Sequence, residues 1–200
     1  MTAVLLPAKP GLKAGKPRFL DWGGRLTPIL GGPVQTLLRL GSRFSLEFQL
    51  PKMRSEPDGR TWASALVQAK LAGAIVPFLQ DGFVPGSPGS PVVNGAGQSG
   101  TSLAIRGAQP NYRFRDGQFW SLVHGGRRYL HMTVGSPAVA SDGTATITFV
   151  PMLRVSPSDG AAIEVAIPKI QGSLIGEEIG WDVQTEPWTD LGSIRIDEDA

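Results

Sequence analysis

The sequence predicts a mainly β protein, a small β-barrel or β-sandwich with one α-helix at about residues 60–72 and long loops or arms. Glycine (26) and proline (17) together exceed a fifth of the 200 residues, which indicates many turns between short elements. Several runs alternate apolar and polar residues with a period of two, as strands do, and one run has helical spacing. The apolar fraction of 41% is enough to form a core.

The N-terminal part contains the clearest strand and the predicted helix. In "RFSLEFQL", Phe44, Leu46, Phe48 and Leu50 fall on one face, and "QTLLRL" just before it indicates a preceding strand. The helix follows a Pro-Asp-Gly turn, with Trp62, Leu66 and Ala69 spaced by four and three, and Gly73 is its expected end.

The C-terminal part consists of short strands joined by turns. "GQFWSLVHGGRRYLHMTV" predicts a hairpin around His124-Gly125-Gly126-Arg127. In "SDGTATITFV", Ala145, Ile147 and Phe149 alternate with threonines, so we expect the apolar face to pack a small barrel. We therefore divide the chain into a β-rich part (1–84), a Gly/Pro/Ser-rich loop or linker (85–100) and a β-meander or barrel with an extended tail (101–200), which together could form one compact domain.

Composition excludes several classes of protein. Without cysteine there is neither a disulfide framework nor a thiolate metal site. No apolar run approaches the roughly 18–20 residues of a membrane span, and the N-terminus lacks the features of a signal peptide, so no membrane insertion is expected. The chain has 19 basic and 17 acidic residues, and this small net charge does not indicate a nucleic-acid-binding protein.

No catalytic, cofactor-binding or metal-binding residues are predicted, and we expect no enzymatic activity. "GAGQSG" (95–100) matches a dinucleotide fingerprint, but a strand is expected after it where the fingerprint requires a helix. His124 and His131 lie on opposite sides of the predicted turn without further ligands, and His131 is expected to fill a partly buried strand position. Asp142 and Asp159 each precede glycine and are interpreted as turn residues.

A basic and aromatic group is the candidate subunit interface. Arginine, tyrosine and tryptophan are enriched at interfaces, although basic residues beside an aromatic could also stack on bases or bind phosphates. The candidate interface residues are Arg127, Arg128, Tyr129, Arg154, Trp181 and Trp188.

An ordered series of pieces between Asn94 and Ile167 resembles a known family. The pieces are "GAGQSGTSL", "DGQFWSL", "RRYLHMTV" and "ASDGTATITFVPMLRVSPSDGAAIEV". They resemble the tail-tip proteins of long-tailed bacteriophages, specifically the siphophage-like distal tail protein, which caps the tail tube and begins the baseplate. The likeness covers less than half of the chain.

The resemblance implies a structural virion protein at the phage tail tip, synthesised in the host cytoplasm. It also implies a closed ring of about six copies. Identical heterologous contacts form a ring when the rotation from one copy to the next divides a full turn. The implied partners are the tail-tube protein, the baseplate hub and tail fibres, with DNA passing through the lumen. Two alternatives stay open: a small-barrel flavin-binding protein or enzyme, and another minor tail or tube-terminator protein.

Overall fold

The computed structural model describes residues 2–182 and 185–199, and it contains 40% strand and 9% helix. The prediction of a mainly β fold with one α-helix is confirmed for the described residues. In chain order the elements are β1 (Val4–Leu5), β2 (Ala14–Leu20), β3 (Gly24–Leu26), β4 (Gln35–Leu37), β5 (Arg43–Gln49), β6 (Met53–Arg54), an irregular turn (Ser55–Gly59), α1 (Arg60–Ala72), β7 (Ala74–Pro77), β8 (Gly89–Val93), β9 (Ser102–Ala108), β10 (Phe119–His124), β11 (Arg127–Thr133), β12 (Ala145–Val150), β13 (Ile163–Glu164), β14 (Lys169–Ile175), β15 (Trp188–Thr189) and β16 (Ser193–Glu198).

The chain forms two compact units, each built from separate stretches of sequence. The first unit contains 2–18, 44–79 and 169–199, and the second contains 19–43 and 80–168. This division differs from the sequence-based division into residues 1–84, 85–100 and 101–200. The reason is that strands after residue 168 pair with strands of the N-terminal part, and such long-range pairing leaves no signal in local composition.

The first unit is organised around a six-stranded sheet in the order β1-β7-β14-β16-β5-β2. Strand β1 runs parallel to β7, whereas β14 pairs antiparallel with both β7 and β16. Apolar residues of its strands form the core of this unit, including Leu46, Phe48, Val76, Ile170 and Ile196. The predicted strand "RFSLEFQL" is confirmed as β5.

Helix α1 also lies in the first unit, and its bounds match the prediction. Trp62, Leu66 and Ala69 are buried, and the Trp62 indole donates a hydrogen bond to the carbonyl of Lys9 at 3.1 Å. Gly73 ends the helix with φ +86°, a conformation that favours glycine, as expected from the sequence.

Gly172 lies against the backbone of the neighbouring strand and provides a first prediction. An ideal Cβ at Gly172 would lie 1.9 Å from the carbonyl oxygen of Asp197 on β16. Gly172→Ala should therefore force β14 and β16 apart and lower the free energy of unfolding by about 1–3 kcal/mol. Urea unfolding measures this loss, and Gly11→Ala, where the added Cβ meets nothing within 4 Å, is the matched control. Equal midpoints for the two variants would contradict the prediction.

The second unit contains a nearly closed six-stranded barrel, as the sequence predicted. Its strand order is β13-β10-β11-β12-β9-β8, and a bridge between Val92 and Ala162 brings the two edges together. Closure of this kind protects strand edges that would otherwise pair with other chains. The barrel core includes Leu103, Ile105, Phe114, Trp120, Leu122, Ile147 and Phe149.

The hairpin and the two-faced strand of the barrel follow their sequence patterns. Gly125 and Gly126 form the turn between β10 and β11 with φ +57° and +76°, the conformation that a two-residue hairpin turn requires. On β12, Ile147 and Phe149 are buried while Thr146 and Thr148 are exposed. The prediction that the apolar face packs the barrel is confirmed for these residues.

Part of the stretch predicted as a loop or linker is a strand of the barrel. Gly89–Val93 forms β8, which pairs with β9 through an irregular register between Gly89 and Val92. The irregularity accommodates Pro91, which has no N–H to donate to a regular ladder. Val93 is buried in the barrel core, so the Val92-Val93 pair was the local signal for a strand.

Candidate assembly surfaces

An apolar hairpin contains the most exposed large apolar side chains of the described residues. Strands β3 and β4 pair antiparallel, with Gly24 opposite Leu37 and Leu26 opposite Gln35. The loop between them includes a tight turn in which the Gly31 amide donates to the carbonyl of Pro28. We call residues Trp22–Leu40 the apolar arm. It contains two charged residues, Arg25 and Arg39, and no acidic residue.

The arm exposes large apolar side chains along its whole length. Ile29 and Leu30 at the tip are fully exposed, at 102% and 99% of their reference area, and Leu38 is 71% exposed. The other exposed large apolar residues of the arm are Trp22, Leu26, Val34, Leu37 and Leu40. Monomeric soluble proteins rarely expose contiguous apolar patches of this kind, and such patches mark interaction sites.

The base of the arm is held by a small polar network. The Asp21 carboxylate accepts hydrogen bonds from the Gly23 amide at 2.7 Å and the Ser42 hydroxyl at 2.9 Å. The Trp22 amide donates to Ser42 Oγ at 3.2 Å, and the Arg43 guanidinium lies 5.7 Å from the centre of the Trp22 ring. The hydrogen bond from the Gly23 amide is the main cause that lowers the pKa of Asp21, and the one from Ser42 is the second. The charged form of Asp21 therefore stabilises the start of the arm.

Sequence reasoning identified one strand of the arm but not its exposure. "QTLLRL" was predicted as a strand, and Gln35–Leu37 confirms its first half. Apolar residues usually predict burial, so a single sequence assigns Ile29 and Leu30 to a core. The available signal was an apolar stretch divided by Gly31-Gly32-Pro33, which provides turn residues but no alternation.

Among the predicted interface residues, Tyr129 and Arg154 are brought together in the barrel unit. Tyr129 is buried, and the Arg154 guanidinium lies 5.1 Å from its ring centre, within the range of a cation–π interaction. Arg154, a candidate interface residue, thus contacts the barrel itself.

Arg127 and Arg128 have different surroundings although they are adjacent. Arg127 is exposed beside the hairpin turn. Arg128 forms a two-pronged ion pair with Glu164 at 3.0 and 3.2 Å, and Ser121 Oγ donates to the same carboxylate at 2.9 Å. The Arg128 side chain therefore joins β11 to β13, and its main contact is internal.

Trp181 and Trp188 lie in the first unit, in the segment that precedes β16. Trp181 is 45% exposed and Trp188 is 36% exposed. Trp188 begins β15, which pairs with β6 so that Trp188 is opposite Arg54. Their participation in a subunit interface stays a prediction.

The glycine-rich loop is closed by contacts within the protein. The Gly95 amide donates to Asp159 at 2.7 Å, and Gln98 bonds with the backbone of both Gly95 and Ala104. Arg106 forms a two-pronged ion pair with Asp159, which with the Gly95 hydrogen bond lowers the pKa of Asp159 to about 2. Strand β9 follows the loop, as predicted, where a dinucleotide site would require a helix.

The sequence assigned both Asp142 and Asp159 to turns. Asp159 also forms an ion pair with Arg106, whereas the contacts of Asp142 are those of a turn residue. Asp142 accepts hydrogen bonds from the Thr144 amide at 2.9 Å and the Thr144 hydroxyl at 2.7 Å, and these lower its pKa. A carboxylate that bonds the backbone two residues ahead is typical of a turn. The Asp159 ion pair instead joins segments 53 residues apart.

His131 is fully buried between aromatic rings of the barrel core. Its ring centre lies 4.9 Å from that of Trp120 and 4.8 Å from that of Phe149. Nδ1 lies 2.9 Å from the Pro151 carbonyl oxygen, to which the neutral ring donates, and Nε2 has no hydrogen-bond partner among the described residues. No group of three or more potential metal ligands occurs within 2–182 and 185–199.

No protein-family model matches the chain, and no curated protein sequence matches it significantly. Among the described residues, no helix has both the length and the apolar character needed to cross a bilayer.

Proposed function

We propose that the chain is a structural virion protein of a long-tailed phage, a distal tail protein assembled as a ring of about six copies at the tail tip. The observation that carries the proposal is the apolar arm. Fully exposed Ile29 and Leu30 at its tip are costly in water, and burial against another protein surface removes that cost.

The barrel supports the same proposal. The pieces that resemble distal tail proteins form successive parts of one barrel, from the loop before β9 through the β10–β11 hairpin to β12 and β13. The resemblance therefore follows one folded body and not scattered surface loops. In the proposed role the ring joins the tail-tube protein to the baseplate hub and fibres, and DNA passes through its lumen. The proposed task is geometric and involves no reaction.

The test is the assembly state and location of the full chain. We expect negative-stain electron microscopy and native mass spectrometry to show closed rings of about six copies. Gold-labelled antibody should bind the tail tips of particles made by the phage or prophage that encodes the chain.

Three outcomes would overturn the proposal. The first is a protein that stays monomeric at high concentration. The second is antibody labelling elsewhere on the particle. The third is a purified protein with the visible absorbance of a bound flavin, which would favour the cofactor-binding alternative.

A further inference from the structure

A strongly acidic segment lies in the first unit, between β14 and β16. Residues 176–192 contain Glu177, Glu178, Asp182, Glu186 and Asp190 and no lysine or arginine. All five carboxylates are exposed, and none forms a salt bridge with a residue in the described ranges. We call the described parts of this segment, 176–182 and 185–192, the acidic strip.

The acidic strip also has an apolar component and a concave surface. An open cleft of about 490 Å³ is lined by Gly180, Trp181, Asp182, Asp190, Leu191 and Gly192. The strip is held in place where the Ser55 amide donates to the carbonyl of Pro187 at 2.9 Å, next to the β15–β6 pair. A cleft with an indole on one side and two carboxylates beside it suits an apolar segment that also carries cations.

The apolar arm has the complementary composition. Arg25 and Arg39 lie on either side of its apolar tip, both are exposed, and neither forms a salt bridge with a described residue. The arm therefore carries two exposed positive charges on an apolar hairpin, and the strip carries five exposed carboxylates. Two of these, Asp182 and Asp190, line the cleft beside Trp181 and Leu191.

We propose that the apolar arm of one copy binds the acidic strip of the next copy, with Arg25 and Arg39 placed against its carboxylates. The inference rests on the self-assembly in the proposed function and names the two surfaces that make the contact. Because arm and strip are different surfaces, the contact is heterologous. Contacts of this type generate rings when the rotation closes.

Charge distinguishes the strip from the exposed apolar positions of α1. Val67 and Leu71 of α1 are exposed, but Lys70 lies between them in sequence, and α1 itself contains no acidic residue. A cationic arm gains no attraction there, whereas the strip provides carboxylates together with a cleft that Trp181 and Leu191 help to line.

Cysteine cross-linking tests the contact directly, because the chain has no cysteine of its own. Leu30→Cys lies at the arm tip, and Gly180→Cys lies in the cleft, where an added Cβ meets nothing within 4 Å. Mixing the two variants, one with a mass tag, should give an oxidised heterodimer at least about tenfold above the Leu30→Cys and Val67→Cys mixture. Equal yields from the two mixtures overturn the inference.

Charge reversal tests the ion pairing separately. Arg25→Glu/Arg39→Glu, and independently Asp182→Arg/Asp190→Arg, should each raise the dissociation constant of self-association at least about tenfold. In an equimolar mixture of the two charge-reversed proteins both contacts between unlike copies are complementary: the reversed arm faces the reversed strip, and the wild-type arm faces the wild-type strip. The mixture should therefore form rings of alternating copies at concentrations at which the wild type assembles. Arg113→Glu/Asp81→Arg reverses exposed charges outside both surfaces and is the control.

The outcomes separate the two proposals. A monomeric wild-type protein overturns both of them. A wild-type ring that neither reversal weakens, or reversed variants that do not pair with each other, overturns the inference and leaves the proposed function standing. Binding of the wild-type arm to anionic phospholipid vesicles in place of self-association also overturns the inference.

Discussion

Ile29→Asp/Leu30→Asp is expected to raise the dissociation constant of self-association by at least about a hundredfold. Fully burying an aliphatic side chain contributes about 1.5–3 kcal/mol, so the loss of two of them weakens the contact by at least about 3 kcal/mol. Each tenfold change in the dissociation constant corresponds to about 1.4 kcal/mol, so this loss is a change of at least about a hundredfold. The substitutions also place two negative charges at the tip of an arm whose own charges are positive. Analytical ultracentrifugation over a concentration series measures the change.

The same double variant should leave folding unchanged, which separates an assembly effect from a structural one. Both side chains are fully exposed, and exposed substitutions typically change stability by no more than about 0.5 kcal/mol. Val84→Asp/Ile167→Asp is the matched control, since Val84 is 81% and Ile167 is 61% exposed and both lie outside the arm. Assembly that survives the arm substitutions, or fails equally in the control, would contradict the role of the arm.

The second large effect is expected from pH. Burial lowers the pKa of His131 from 6.5 to about 3, the hydrogen bond to Pro151 opposes this, and nearby Arg154 lowers the pKa further. Above pH 6.5 the ring is neutral in both states. Between pH 6.5 and about 3 the unfolded chain binds a proton that the folded chain does not, so stability falls as pH falls, by about 1.4 kcal/mol per unit.

This gives a loss of about 2 kcal/mol between pH 6.5 and about pH 4.5, a window above the ordinary pKa values of the carboxylates. His131→Phe keeps a ring between Trp120 and Phe149 but cannot titrate, so its unfolding free energy should be flatter over that window. Urea unfolding at a series of pH values measures both profiles. Parallel profiles for wild type and variant would show that His131 is not the group responsible.

The parts of the fold that could be predicted are those encoded by nearby residues. Helix α1 follows from the spacing of Trp62, Leu66 and Ala69, and the β10–β11 hairpin follows from Gly125-Gly126, because both signals lie within a few residues. The near-closed barrel was predicted from short strands at regular spacing, which is a property of the whole segment.

The parts that could not be predicted depend on contacts between distant residues or on exposure. Arg106 and Asp159 are 53 residues apart, so no local sequence pattern predicts their ion pair. The exposure of Ile29 and Leu30 reverses the usual inference from apolar sequence to core. The candidate interface was predicted from residue types alone, and this method selected Arg128, whose charge is paired with Glu164 inside the barrel unit.

The interleaved arrangement of the two units affects the order in which the chain can fold during synthesis. The barrel strands β8 to β13 are continuous in sequence, so the barrel can form as soon as residues 80–168 have left the ribosome. The sheet of the first unit lacks its central strands β14 and β16 until after that point, so the neighbouring strands β1 and β7, and β5 and β2, emerge before the two strands that join them. During that interval the edges of β7 and β5 that later pair with β14 and β16 lack partners, and unpaired strand edges make a nascent chain prone to aggregation.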